Sequence, residues 1–167
     1  MPKIETERYL QTIDQHFTQP LAVLPTETAE SVVFPQQVGV FQRSSADTYA
    51  IRNIEAFLHS DLNNHSEQWL NWKYTSPTNL VTVDAWLNPD SLAAKEAFAG
   101  PAPCAAELGG EQIARTSAKI PYGYHVCYAF MAPGEQIDDI TWRNGAWIIF
   151  VAGNVDGIIE FLKDYPY

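Results

Sequence analysis

The chain is poor in positive charge, in cysteine and in long apolar runs, and each shortage excludes something. Ten Lys and Arg stand against 20 Asp and Glu in 167 residues, a formal net charge of -10. Nucleic-acid affinity rests mainly on Lys and Arg neutralising phosphates, so binding to DNA or RNA is not expected, and anionic membrane surfaces are disfavoured on the same ground. No apolar run approaches the roughly 20 residues that a spanning helix requires, so no membrane span is expected. Only two cysteines occur, Cys104 in a Pro/Ala/Gly-rich stretch and Cys127 in an expected strand. Neither belongs to a C-x-x-C pair or lies beside the closely spaced His of a zinc site, and two free thiols are the simpler account. The amino terminus, Met1-Pro-Lys-Ile-Glu-Thr-Glu-Arg8, lacks the basic start, apolar middle and small-residue cleavage site of a secretory leader. The default expectation is therefore cytoplasmic, or extracytoplasmic if an upstream leader has been removed.

What is present points to one domain of ordinary size, long enough to bury a core without metals or disulfide staples. Aromatic residues make up 13% of the chain, with five Trp and eight Tyr, which favours sheet. Leu10, Ile13 and Phe17 recur at helical spacing within residues 4–17, behind Glu5 and Glu7, where a helix dipole favours acidic groups. Thr18 to Glu30, with Pro20 and Pro25, has no sustained period and reads as an extended arm, so the expected division is a helix and arm over 1–30 and a single α+β domain over 31–167.

In that domain, Ser31–Phe34 reads as a short lead-in and Val38–Arg43 as a first strand after Pro35, while residues 50–59 fit a helix. Two similar blocks follow. In the first, Trp69–Thr75 turns through Ser76-Pro-Thr-Asn79 into Leu80–Leu87, and Asn88, with Pro89 behind it, is expected to cap a helix over Ser91–Ala99. In the second, Ile137–Arg143 turns through Asn144-Gly145, a strong hairpin signal, into Ala146–Ala152, and Asn154 caps a helix with Val155, Ile158, Ile159 and Leu162 on one stripe. Gly123–Met131 is a further strand. The blocks share Trp72-Lys73 with Trp142-Arg143, and Asn88-Pro-Asp90 with Asn154-Val-Asp156, as an internal strand-strand-helix duplication would.

The expected fold class is α+β, an antiparallel sheet with helices packed on one face. This order of elements, over roughly Val38 to Leu162, resembles that of the PsbP-like superfamily and neighbouring families of uncharacterised bacterial domains. The resemblance implies an antiparallel sheet flanked by helices and includes accessory and assembly factors. It carries over no functional residue, and the amino-terminal helix departs from it.

Chemistry-bearing residues are few. His59, Asp61 and His65 offer ligands without a third or fourth at defined spacing, so a solvated polar turn is the simpler account. His125 and Cys127 share a strand face but project in parallel, which is poor dyad geometry. Asp138 and Asp139 alternate to opposite faces and cannot flank one bond. Gly109-Gly110 lacks the Lys of a phosphate loop. No catalytic residue, metal or cofactor is assigned. The strongest expectation is a non-enzymatic binding or assembly module that engages a protein partner or a second copy, with a surface drawn from Leu10, Ile13, Phe17, Trp72, Trp86 and Trp142. The alternative is a small-molecule site in an aromatic-lined cleft, which convergence of Asp84, His125 or Asp138 with that cleft would favour.

Overall fold

The computed structural model describes residues 11–13, 15, 22, 24, 30–44, 68–99, 111–117, 120–132 and 135–167, with the backbone alone for 68–69, 98–99 and 111–139 within those ranges. The elements run α1 (Glu30–Val33), β1 (Gln37–Val38), β2 (Phe41–Arg43), β3 (Gln68–Thr75), β4 (Leu80–Leu87), α2 (Ser91–Ala99), β5 (Glu111–Ser117), β6 (Ile120–Ala132), β7 (Glu135–Asn144), β8 (Trp147–Gly153) and α3 (Val155–Leu162). All eight strands form one sheet in the order β1-β2-β3-β4-β8-β7-β6-β5, and every neighbouring pair is antiparallel. The class is α+β, as the strand-strand-helix grammar of the sequence implies.

Alternation sorts the central strands onto two faces. Val81, Val83 and Ala85 of β4, Ile140 and Trp142 of β7, and Trp147, Ile149 and Val151 of β8 lie in one large core with Ile158, Phe161 and Leu162 of α3. The opposite face carries Trp86 and Ile148, which stand opposite each other in the β4–β8 ladder and pack with Ala94 of α2. The expected placement of both helices on one face is therefore corrected: α3 covers the first face and α2 the second. The reason is local. Just past the end of β4 the Asn88 N–H still bonds Ala146 O at 2.9 Å, so Asn88 stays tied to the sheet and its Nδ2 donates to the same oxygen at 3.1 Å. Asp90, not Asn88, caps α2, its Oδ1 accepting from the Ala93 N–H at 2.8 Å. Asn154 does cap α3, accepting from the Gly157 N–H at 2.7 Å.

Up to those caps the two blocks match in register. Trp72 stands opposite Val83 and Trp142 opposite Ile149. Val83 in turn pairs with Val151, and Ile149 pairs with Ala85, so a local twofold between β4 and β8 exchanges the two hairpins. This is the geometry expected of a duplicated unit, and the symmetry ends where the helices leave to opposite faces.

Other expectations shift. The short lead-in at Ser31–Phe34 proves to be a helical turn over residues 30–33, closed by Phe34 N–H to Glu30 O at 2.8 Å. The stretch Val38–Arg43 breaks into β1 and β2 about Gly39, whose φ of +55° suits glycine. Strand β5 was not anticipated. Residues 50–59, with His59, and Asp61 and His65 beyond them, lie outside the described residues.

The amino-terminal segment is not detached. Residues 11–13 are helical, and Ile13 and Leu24 are buried in the same core as the sheet, Ile13 at 1% exposure. Buried Asn144 holds this segment by its backbone: Leu24 N–H donates to Asn144 Oδ1 at 2.9 Å, and Asn144 Nδ2 donates to Ala22 O at 2.8 Å. That task displaces the β7–β8 turn by one residue from its expected Asn144-Gly145 centre. Asn144 pairs with Trp147, and Gly145, at φ +61°, supplies the single positive φ at the first central position that marks a type II′ turn. Replacing Asn144 by Ala removes both bonds and leaves the buried Leu24 amide unpaired. A loss of about 2–4 kcal/mol in urea unfolding is expected, against which an unchanged midpoint would show that the clasp contributes nothing.

Candidate functional site

The three tryptophans singled out from the sequence do not form an exposed cluster. Trp142 is buried on the first face, its Nε1–H donating to Tyr167 O at 3.1 Å and its ring edge-on to Tyr165. Trp86 is buried on the other face, edge-on to Phe150. Trp72 is half-buried and occupied on two sides: Nε1–H donates to Glu30 Oε1 at 2.6 Å, and the Arg43 guanidinium lies 4.1 Å from the ring centroid. Arg43 is itself fixed by Phe34 O at 2.7 Å and Gln36 Oε1 at 3.2 Å, so the group seals the α1–β2 margin of the core. The expected binding surface is corrected at Trp86, Trp142 and Ile13, which are buried, and at Trp72, which is half-buried and engaged by Glu30 and Arg43. Leu10 and Phe17 lie outside the described residues.

Register assembles a different set. One row of directly opposed residues crosses the sheet from Asn71 through Asp84, Phe150 and Thr141 to His125 and Ala114. The next runs Lys73, Thr82, Ala152, Asp139, Cys127 and Gln112. Asp84 is only 6% exposed, and Asn71 Nδ2 donates to its Oδ1 at 2.6 Å. A carboxylate in that position, beside Phe150 in the ladder and two residues from Trp86, is the one acidic group of the described core. Asp84 and His125 share a row, yet three strand spacings of ~4.8 Å, roughly 14 Å, separate them, too far for an acid–base pair. Asp138 and Asp139 occupy alternate positions of β7, opposite Tyr128 and Cys127. Among the described residues no group of three or more His, Cys, Asp or Glu is placed to hold a metal ion.

The two margins of the sheet differ. At one end β1 is two residues long, follows Pro35, and folds into a turn in which Gln37 Nε2 donates to Gly39 O at 2.9 Å. Short, turned strands of this kind blunt an edge. At the other end β5 is seven residues long, carries no proline, and pairs only with β6 among the described strands. Its ladder runs in straight register from Glu111 opposite Tyr128 to Arg115 opposite Tyr124 before shifting between Arg115 and Ser117. Little in its residues announces a strand, since Ile113 is the one large apolar residue in Glu111–Ser117. An extended strand whose outer side meets no described strand offers a row of backbone donors and acceptors there.

No protein-family model, curated protein or solved structure matches the chain. No helix among the described residues is long and apolar enough to cross a membrane.

Proposed function

We propose that the protein is a non-enzymatic binding module that engages a protein partner, and that the partner adds an extended segment to the outer edge of β5. The observation that carries this reading is the contrast between the two sheet margins: β1 is short and turned, whereas β5 offers a straight five-residue span, Glu111 to Arg115, beyond which no described strand lies. Strand addition draws its affinity from main-chain bonds and needs no pocket. The element order resembling that of accessory and assembly factors agrees with such a role.

Proline placed in the strand tests it with an internal control. In an antiparallel ladder adjacent residues point their N–H groups to opposite sides, so of Ile113→Pro and Ala114→Pro one removes a bond to β6 and the other only an outward donor. Peptides selected from a random displayed library against the full chain are expected to bind the wild type and to lose that binding on the variant that keeps wild-type stability. Selected peptides that bind both stable forms equally, or none selected at all, would sink the edge reading.

A small-molecule site on the second face is the other reading, favoured by the buried Asp84 carboxylate beside Asn71 and Phe150. It expects ligands that raise the melting temperature of the wild type and fail to do so for Asp84→Asn.

A further inference from the structure

We infer that the segment received by the β5 edge is β5 of a second copy of this chain, the two strands running antiparallel about a twofold axis at Ile113. The inference rests on the edge reading above and names its partner. Between Glu111 and the ladder shift after Arg115 the order is Glu-Gln-Ile-Ala-Arg. An antiparallel copy centred on Ile113 sets Glu111 opposite Arg115 of the second copy and, by symmetry, Arg115 opposite its Glu111. Gln112 and Ala114 exchange in the same way, and Ile113 meets itself. Opposite charges directly across a ladder stabilise it, like charges destabilise it, and a β-branched residue suits the central position.

Neighbouring registers lose this match. Centring on Gln112 sets Glu111 opposite Ile113, and centring on Ala114 sets Arg115 opposite Ile113 and carries Glu111 to Ser117, past the ladder shift. Within the straight span, only the Ile113-centred arrangement pairs both charges. The result is a continuous sheet through both copies, built on one strand pair and therefore at the weak end of protein association.

The net charge of -10 on each copy supplies a second signature. Two such bodies repel at long range, and the repulsion fades as salt shortens the screening length, from about 30 Å at 0.01 M to about 8 Å at 0.15 M. Self-association therefore strengthens as salt is raised over that interval, whereas a basic partner protein would bind more weakly.

Sedimentation velocity of the full chain up to millimolar concentration is the deciding experiment, with Glu111→Arg and Arg115→Glu measured singly and mixed. The wild type is expected to show a reversible monomer–dimer equilibrium that strengthens with salt. Each single variant, with unchanged circular dichroism, is expected to remain monomeric because like charges face each other. An equimolar mixture of the two should dimerise again, since each introduced charge then meets its opposite. A wild type that is monomeric throughout, single variants that still dimerise, or a mixture no better than its components would each overturn the inference. If the wild type is monomeric while displayed peptides still bind in an edge-dependent way, the second copy is excluded as partner and the edge reading survives; if those peptides fail as well, both fall.

Discussion

A chain lacking residues 1–24 is expected to lose most of its stability, even though the removed segment reads in the sequence as a separate helix and arm. Ile13 and Leu24 are fully buried in the main core, and burial of such side chains is worth about 1.5–3 kcal/mol each. The truncation also removes the partners of three polar atoms, two on buried Asn144 and one on exposed Pro166. Asn144 loses both bonds from its buried amide, and Pro166 O loses the Ala22 N–H at 3.1 Å. Loss of each of the two Asn144 bonds costs about 0.5–1.5 kcal/mol. Together these terms are comparable with the whole stability of a typical domain, about 5–15 kcal/mol. Urea unfolding followed by tryptophan fluorescence should show a truncated chain that is unfolded or barely folded in buffer, and Ile13→Ala should cost about 2–4 kcal/mol by itself. A truncated chain with an unchanged midpoint and slope would mean that the segment contributes nothing to the fold.

The way that segment is held explains why the sequence misrepresents it. Pro20, Pro25 and the absence of a period make residues 18–30 read as a linker, and nothing local reports that Asn144 and Pro166, far along the chain, bind its backbone. Local grammar was informative where an element is specified by its own residues. The β3–β4 hairpin, the Ser91–Ala99 helix and the Asn154 cap all stand as read, because alternation, turn residues and capping side chains act within a few positions. It failed where a distant contact decides. Strand β5 has little apolar content of its own and is a strand through its ladder with β6. Asn144 sits beside Gly145 as a hairpin signal would have it, but its amide is committed to Ala22 and Leu24, and the turn moves by one residue.

The tryptophans show the same limit. Val83, Asp84, Ala85 and Trp86 are consecutive and all buried, so β4 is covered on both faces. Strand alternation states which side Trp72 and Trp86 take, and the hairpin register confirms that they take opposite ones, but not whether either side meets solvent. The acidic residue legible as a candidate, Asp84, proves to be buried in a row whose other members come from five further strands, an arrangement that depends on the β4–β8 and β7–β6 pairings and on no spacing within one segment.

Alkaline pH is expected to unfold the protein steeply. Tyr165 is buried under Phe161, its hydroxyl donating to Val33 O at 2.9 Å, and Tyr74 donates to Pro35 O at 2.9 Å, so two phenols pin the end of α1 and the residues just after it. Burial holds both well above the ordinary phenol value of 10.0; nearby Arg43 acts against it at Tyr74, while neighbouring Tyr74 and Tyr167 add to it at Tyr165. Below pH 10 both phenols are protonated in the folded and unfolded chain alike, and stability is unaffected. Above pH 10 the unfolded chain releases these protons and the folded chain retains them. The unfolded state then binds fewer protons, and stability falls as pH rises toward the folded values. Each such group removes about 1.4 kcal/mol per pH unit, so the pair removes close to 3 kcal/mol per unit. Urea midpoints measured from pH 9 upward should stay flat to about pH 10 and then drop. Absorbance at 295 nm should show the last tyrosines ionising only as circular dichroism reports loss of the sheet. Tyr74→Phe and Tyr165→Phe, each less stable at pH 8 for want of its hydrogen bond, should each show about half the wild-type slope above pH 10, because one of the two groups responsible has been removed. Ionisation of all eight tyrosines in one step near pH 10 with the sheet intact would show that the two phenols do not anchor the fold.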